Sequence, residues 1–179
     1  MESNTTVAAS GENKKIVLIA IDGSPQAEAA FDWYINYAHT AGNELLLVHV
    51  ADPPFVSTQQ VMYMSKELWE EMLAQEKEKV QKLEDKFADK MRAAKVAGRI
   101  KAVFNNRAGE ALVDIAKEKK PLMVVMGTRG MGTMRRTILG SVSDYVLHHA
   151  HCPVMIYRTE MQSERRKSTG KRASESDKH

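Results

Sequence analysis

Three glycines, two serines and one aspartate carry the chemistry that this sequence could do. Gly127, Gly130 and Gly140 follow the pattern Gly-x2-Gly-x9-Gly, and Ser141, Val142 and Ser143 come directly after. Glycines let a backbone approach an anion closely. A helix opening at Gly140-Ser141 would add unpaired N–H groups with a partial positive charge. Ser141 and Ser143 supply hydroxyl donors, and Arg129, Arg135 and Arg136 supply charge. The chemistry indicated is phosphate binding. A second polar, glycine-bearing stretch, Asp22-Gly23-Ser24-Pro25, ends an apolar run, and a carboxylate there suits a ribose hydroxyl. A Walker A loop is absent, and no Gly-x-Gly-x-x-Gly follows the first strand, so the usual GTPase, kinase-like and dehydrogenase readings lose their main support. Phosphoryl transfer also needs a group that activates the acceptor. None is identifiable, so the catalytic residues stay unknown and slow hydrolysis is the most that is indicated.

These residues must be held by strands and helices. Leu122 to Met126 and Ile16 to Ile21 are unbroken apolar runs, as in strands buried on both faces. Ser24 is a natural N-cap and Pro25 suits the first helical position. Ala27, Ala30, Phe31, Tyr34, Ile35 and Ala38 form a helical stripe that Gly42 should close. Glu44 to Val50 reads as the next strand. A long amphipathic helix is expected from Ser65 to Ala97, with Trp69, Met72, Leu73, Val80, Leu83, Phe87, Met91 and Ala94 buried and Gly98 as its stop. Ile100 to Phe104 reads as a strand, Glu110 to Lys119 as a helix, Ser141 to His149 as a helix and Pro153 to Tyr157 as the last strand. This β-α-β-α-β-α-β-α-β order implies an α/β fold: an open, doubly wound, five-stranded parallel sheet with helices on both faces. Ligands of such sheets bind at the carboxyl ends of strands where the winding reverses, which makes the ends at Asp22 and Gly127 candidate neighbours.

Five separated segments, in order and with intact spacing, resemble the universal stress protein family, in its ATP-binding subgroup. They are Ala20-Ile-Asp22-Gly-Ser24, Leu47-Val-His-Val50, Val125-Met-Gly127-Thr-Arg-Gly130, Leu139-Gly140-Ser141-Val142-Ser143 and Cys152-Pro153-Val154. The resemblance implies a Rossmann-like fold of the adenine nucleotide alpha hydrolase-like kind. It also implies an ATP (or AMP or ADP) ligand, with Mg2+ as a companion. Asp22 would bind the ribose or adenine side, and Ala20 and Val50 would line the base pocket. Met126 and Gly127 would pass beneath the ribose, while Arg129, Gly130, Gly140, Ser141, Val142 and Ser143 would hold the phosphates. It further implies a homodimer formed through Pro153 to Tyr157, acting in the stress response through its nucleotide-bound state. A slow adenine nucleotide hydrolase and a ligand-free dimeric scaffold are the alternatives.

Bulk composition narrows the rest. The 179 residues suffice for one domain with a real core. The net charge of +3 sits entirely in residues 158–179, which hold seven Lys/Arg against four Asp/Glu, so no nucleic-acid partner is expected. One cysteine, Cys152, allows no internal disulfide and fits a reducing compartment; no apolar run reaches membrane-spanning length. A cytoplasmic protein is expected. His148, His149, His151 and Cys152 lack a distant second pair of ligands, so no metal site is expected; His39 and His49 read as packed and hydrogen-bonded. Residues 1–13 read as a disordered leader, 14–158 as the nucleotide-binding domain and 159–179 as a disordered basic tail. The apolar loop 52–64 should fold over core or ligand.

Overall fold

The computed structural model describes residues 3–7 (backbone only), 15–53, 65–128 and 139–158. Its elements are β1 (Ser3–Val7), β2 (Lys15–Ile21), α1 (Pro25–Tyr37), β3 (Asn43–Ala51), α2 (Lys66–Ala93), β4 (Gly98–Phe104), α3 (Ala108–Lys119), β5 (Met123–Gly127), α4 (Ser141–His149) and β6 (Val154–Tyr157). The sheet order is β1-β4-β3-β2-β5-β6. Strands β2 to β6 are parallel, with β2 at the centre, and form the expected five-stranded doubly wound sheet.

Alternation along the strands divides the core between two faces. On one face Val17, Ile19, Ile21, Leu45, Leu47 and Val125 pack against Phe31 and Tyr34 of α1 and against Phe87 and Met91 of α2. The Phe31 and Phe87 rings meet edge to face, 5.5 Å apart. Glu28 and Asp32 of α1 also pair with Lys86 and Lys90 of α2. On the other face Leu18, Leu46, Val48, Val124 and Met126 pack against Leu112, Val113, Ile115 and Ala116 of α3 and Val146 of α4. Every helix thus buries an apolar stripe on a sheet that is apolar on both sides, as a parallel sheet requires.

Four expectations change. Residues 3–7, read as part of the leader, form β1, antiparallel to β4, whose outer edge would otherwise present unpaired backbone groups. Helix α1 ends at Tyr37, and Gly42 instead turns the chain into β3 with φ +92°. Helix α2 ends at Ala93, followed by Lys95 in the left-handed region (φ 55°). Gly98 is not the stop but the start of β4, where a Cβ would lie 2.8 Å from Leu45 Cβ and 2.9 Å from Met91 Sδ. Finally, Trp69 is 37% exposed, Leu68 is 48% exposed, and Met72 and Leu73 are half-buried. A 28-residue helix rises about 42 Å, whereas the seven residues of β4 span about 23 Å, so the first turns of α2 outrun the sheet. Phe55, Val56, Val61, Met62 and Tyr63, the rest of the leader and the tail 159–179 lie outside the described residues.

Candidate functional site

Winding reverses at β2: the chain moves out to β3 and β4 on one side, then returns to β5 and β6 on the other. The carboxyl ends of β2 and β5 are therefore neighbours, with a register running from Val17↔Met123 to Ile19↔Val125. Gly127 brings them closer still. A Cβ there would lie 2.8 Å from both C and O of Gln26 and 3.0 Å from Ala27 N, all backbone atoms at the start of α1. A glycine is required because the end of β5 rests directly on the first turn of α1.

The turn between β2 and α1 is built by Asp22, Gly23 and Ser24. The Ser24 amide donates to Asp22 Oδ1 at 3.0 Å, and Gly23 takes φ +77°, a region that suits glycine. Ser24 Oγ accepts the Ala27 amide at 3.1 Å and caps α1 as its residue type foretold. The ring of His49 lies alongside, its Nδ1 3.0 Å from the Ile21 carbonyl oxygen. Asp22 thus orders its own turn with one oxygen and stands at the switch point with its second.

On the β5 side, Thr128 organises the loop ends. Its carbonyl accepts the Gly140 amide at 2.8 Å and the Ser143 hydroxyl at 3.1 Å, while its own amide donates to the Tyr157 carbonyl at 3.0 Å. The ends of the glycine loop are thereby pinned together. Ser143 is buried, and its Oγ also lies 3.0 Å from the Gly140 carbonyl. Two groups expected to face phosphate, the Gly140 amide and the Ser143 hydroxyl, therefore meet protein acceptors. The residues still fit an anion through the amides of Ser141, Val142 and Ser143. These are first-turn positions with no intrahelical acceptor, since the first helical bond is Asp144 N to Gly140 O. Gly140 provides no side-chain cap, whereas Ser24 caps α1 and Ser65 caps α2. Helix α3 also lacks a side-chain cap, but it follows β4, away from the switch point. Ser141 is exposed.

Beside α4 lies an apolar wall. Ala20, Val50 and Val142, with Val103 and Tyr145, are partly buried and pack against the same core cluster. Met126 belongs to that cluster with its side chain 4% exposed, so only its backbone could border a ligand. Of the expected site residues, Asp22 follows β2, Gly127 ends β5, Gly140 is bonded to Thr128 just after β5 and Ser141, Val142 and Ser143 open α4, while Ala20 lies on β2, Val50 on β3 and Met126 on β5. Arg129 and Gly130, with Arg135 and Arg136, lie outside the described residues. Sequence reasoning missed Thr128, because its contribution is a carbonyl oxygen, which no side-chain type announces.

Two of the remaining histidines are occupied within their own helix. His148 and His149 place Nδ1 2.8 Å from the Asp144 and Tyr145 carbonyls of their own helix. Burial raises the pKa of the Cys152 thiol. His39 packs against Tyr34 as expected, but its buried Nδ1 has no hydrogen-bond partner among the described residues, which corrects the expectation of a bonded ring. Burial accordingly lowers its pKa. No helix among the described residues is long and apolar enough to cross a membrane.

Known proteins share this architecture. A universal stress protein of Thermus aquaticus is 32% identical over 144 residues, covering 80% of this chain and 98% of that one. Universal stress protein MJ0531 of Methanocaldococcus jannaschii is 33% identical over 156 residues, covering 86% and 88%. A universal stress protein structure from Arabidopsis thaliana with AMP bound superposes with a TM-score of 0.60 at 22% identity, covering 82% and 92%. The sequence pattern of the universal stress protein family matches residues 14–158, and with the strand order and the relatives in agreement, this chain belongs to that family.

Proposed function

We propose that this protein is an ATP-binding regulatory protein of the stress response, in the ATP-binding subgroup of its family, acting through its nucleotide-bound state. The observation that carries the reading is that Asp22 follows β2 and the start of α4, which has no side-chain cap, is bonded to the end of β5, on the two neighbouring strands of the switch point. The amides of Ser141 to Ser143, with Arg129 and Gly130 from the glycine loop, would hold phosphate oxygens. The second oxygen of Asp22 would accept from a ribose hydroxyl, and Ala20, Val50 and Val142 would receive the base. AMP in the Arabidopsis relative supports an adenine nucleotide. ATP would bring Mg2+ with its triphosphate. The chain would act in the cytoplasm as a homodimer paired through Val154–Tyr157, a strand with no described neighbour on its outer side.

The test is direct. The purified protein is denatured and the released small molecules are identified by mass spectrometry, and the nucleotide-free protein is then melted with and without ATP and Mg2+. At a thousandfold excess over Kd, ATP adds about 4 kcal/mol to stability. The absence of both a released adenine nucleotide and a melting shift would overturn the proposal.

A further inference from the structure

The two edges of the sheet are treated differently. At one end the outer side of β6 has no strand beside it among the described residues; at the other, β4 is covered by β1. The five-residue register runs Ser3↔Ala102, Asn4↔Lys101, Thr5↔Ile100, Thr6↔Arg99 and Val7↔Gly98. The family match begins at residue 14, so β1 is an addition to the family unit and not one of its parts.

The geometry supports pairing within one chain. Val7 lies opposite Gly98, Gly98 opposite Leu45 and Leu45 opposite Val17, so β1 ends within two residues of the row in which β2 begins at Lys15. Three strand spacings separate them, about 14 Å. Residues 8–14 can reach about 23 Å when extended. The connection is long enough without help from a second copy.

A bare parallel-sheet edge offers a row of N–H and C=O groups to any extended chain. With both β4 and β6 bare, copies of this chain could pair β6 to β6 and β4 to β4 in turn, and such alternation does not close. We propose that Ser3–Val7 is a built-in guard of the β4 edge, which denies that edge to a second copy and so ends strand-edge assembly at a pair. The guard rests on the proposed β6 pairing only for the size of the guarded assembly.

The test uses the full chain carrying Asn4→Pro and Thr5→Pro together. Adjacent residues of a strand point their N–H groups to opposite sides, so one of the two prolines removes a ladder donor facing β4 whichever phase holds. Mass is followed by light scattering over a hundredfold range of concentration, and amide exchange is measured across Gly98–Ala102. The unaltered chain should hold a plateau no larger than a dimer and protect the alternate amides that face β1. The proline variant should lose that protection by tenfold or more and at least double the plateau mass. The strand-preserving pair Asn4→Thr and Thr5→Val should behave as the unaltered chain. A proline variant that exposes the amides yet keeps the original mass would overturn the guard. So would equally fast exchange in both proteins, assembly of the unaltered chain beyond a dimer, or assembly of the strand-preserving variant. If the unaltered chain is monomeric and the proline variant dimerises, the guard stands and the β6 pairing fails.

Discussion

Replacing Gly127 with alanine tests the contact that joins the two halves of the site. The new methyl would sit 2.8 Å from Gln26 C and O and 3.0 Å from Ala27 N. Ordinary carbon contacts begin near 3.5 Å, so about 0.7 Å must be found. None of the three atoms ends a flexible side chain, so either the first turn of α1 or the end of β5 must move. Overpacking of this kind costs about 1–3 kcal/mol. The reduced freedom of the unfolded chain returns about 0.4–1 kcal/mol. The net is a loss of about 1–2 kcal/mol, or several degrees in Tm for a chain of this length. Gly42→Ala is the matched control. Its methyl meets nothing within 4 Å, and its cost comes only from φ +92°, about 1–2 kcal/mol before the same unfolded-state return. Urea unfolding of nucleotide-free protein at fixed concentration gives both values, and titration with ATP and Mg2+ separates them. Gly127→Ala should weaken nucleotide binding as well as stability, because the displaced first turn of α1 is tied through its N-cap Ser24 to Asp22; Gly42→Ala should leave binding unchanged. A neutral or stabilised Gly127→Ala protein would refute the close approach of β5 to α1.

Asp22→Asn keeps an oxygen for the Ser24 amide but loses the charge, so it should spare stability while weakening nucleotide binding about tenfold or more, as read by calorimetry. An unchanged Kd would remove Asp22 from the site. His39, whose pKa burial lowers, binds protons more readily in the unfolded chain; stability should decline as pH falls from about 7 to 5, and His39→Phe should flatten that slope in urea titrations. Glu28 has its pKa lowered, first by the hydrogen bond from Lys86, with Lys90 adding to it against the opposing effect of burial. Its stabilisation is present above the ordinary value of 4.5 and is lost as pH falls through the lower folded value. Because these ion pairs are partly exposed, Glu28→Gln should cost only about 0.5–1 kcal/mol at neutral pH, and its deficit should vanish in acid. A deficit that persists in acid would show that Glu28 acts by packing instead.

How much could be read before folding depends on the range of the interaction. Strand and helix order was legible because hydrophobic periodicity and caps are local: the apolar runs at Ile16 and Leu122, and Ser24-Pro25 ahead of an apolar stripe, act within a few residues. Most of the candidate site was legible too, since glycines and Asp22 mark strand ends by type. What the sequence alone could not settle was decided by contacts between distant segments. Gly98 looked like a helix stop, but its missing side chain serves Leu45 and Met91. Trp69 kept the right helical phase yet found no sheet beneath it, because only the assembled fold sets where the sheet ends. Residues 3–7 carried no periodicity, and became a strand because β4 had an edge to fill. The Gly140 amide and Ser143 hydroxyl looked like phosphate donors until Thr128 placed its carbonyl between them. Periodicity and residue type thus chose the elements and the ends that matter, whereas the third dimension decided which polar groups remain free, since a hydrogen bond depends on where both partners lie.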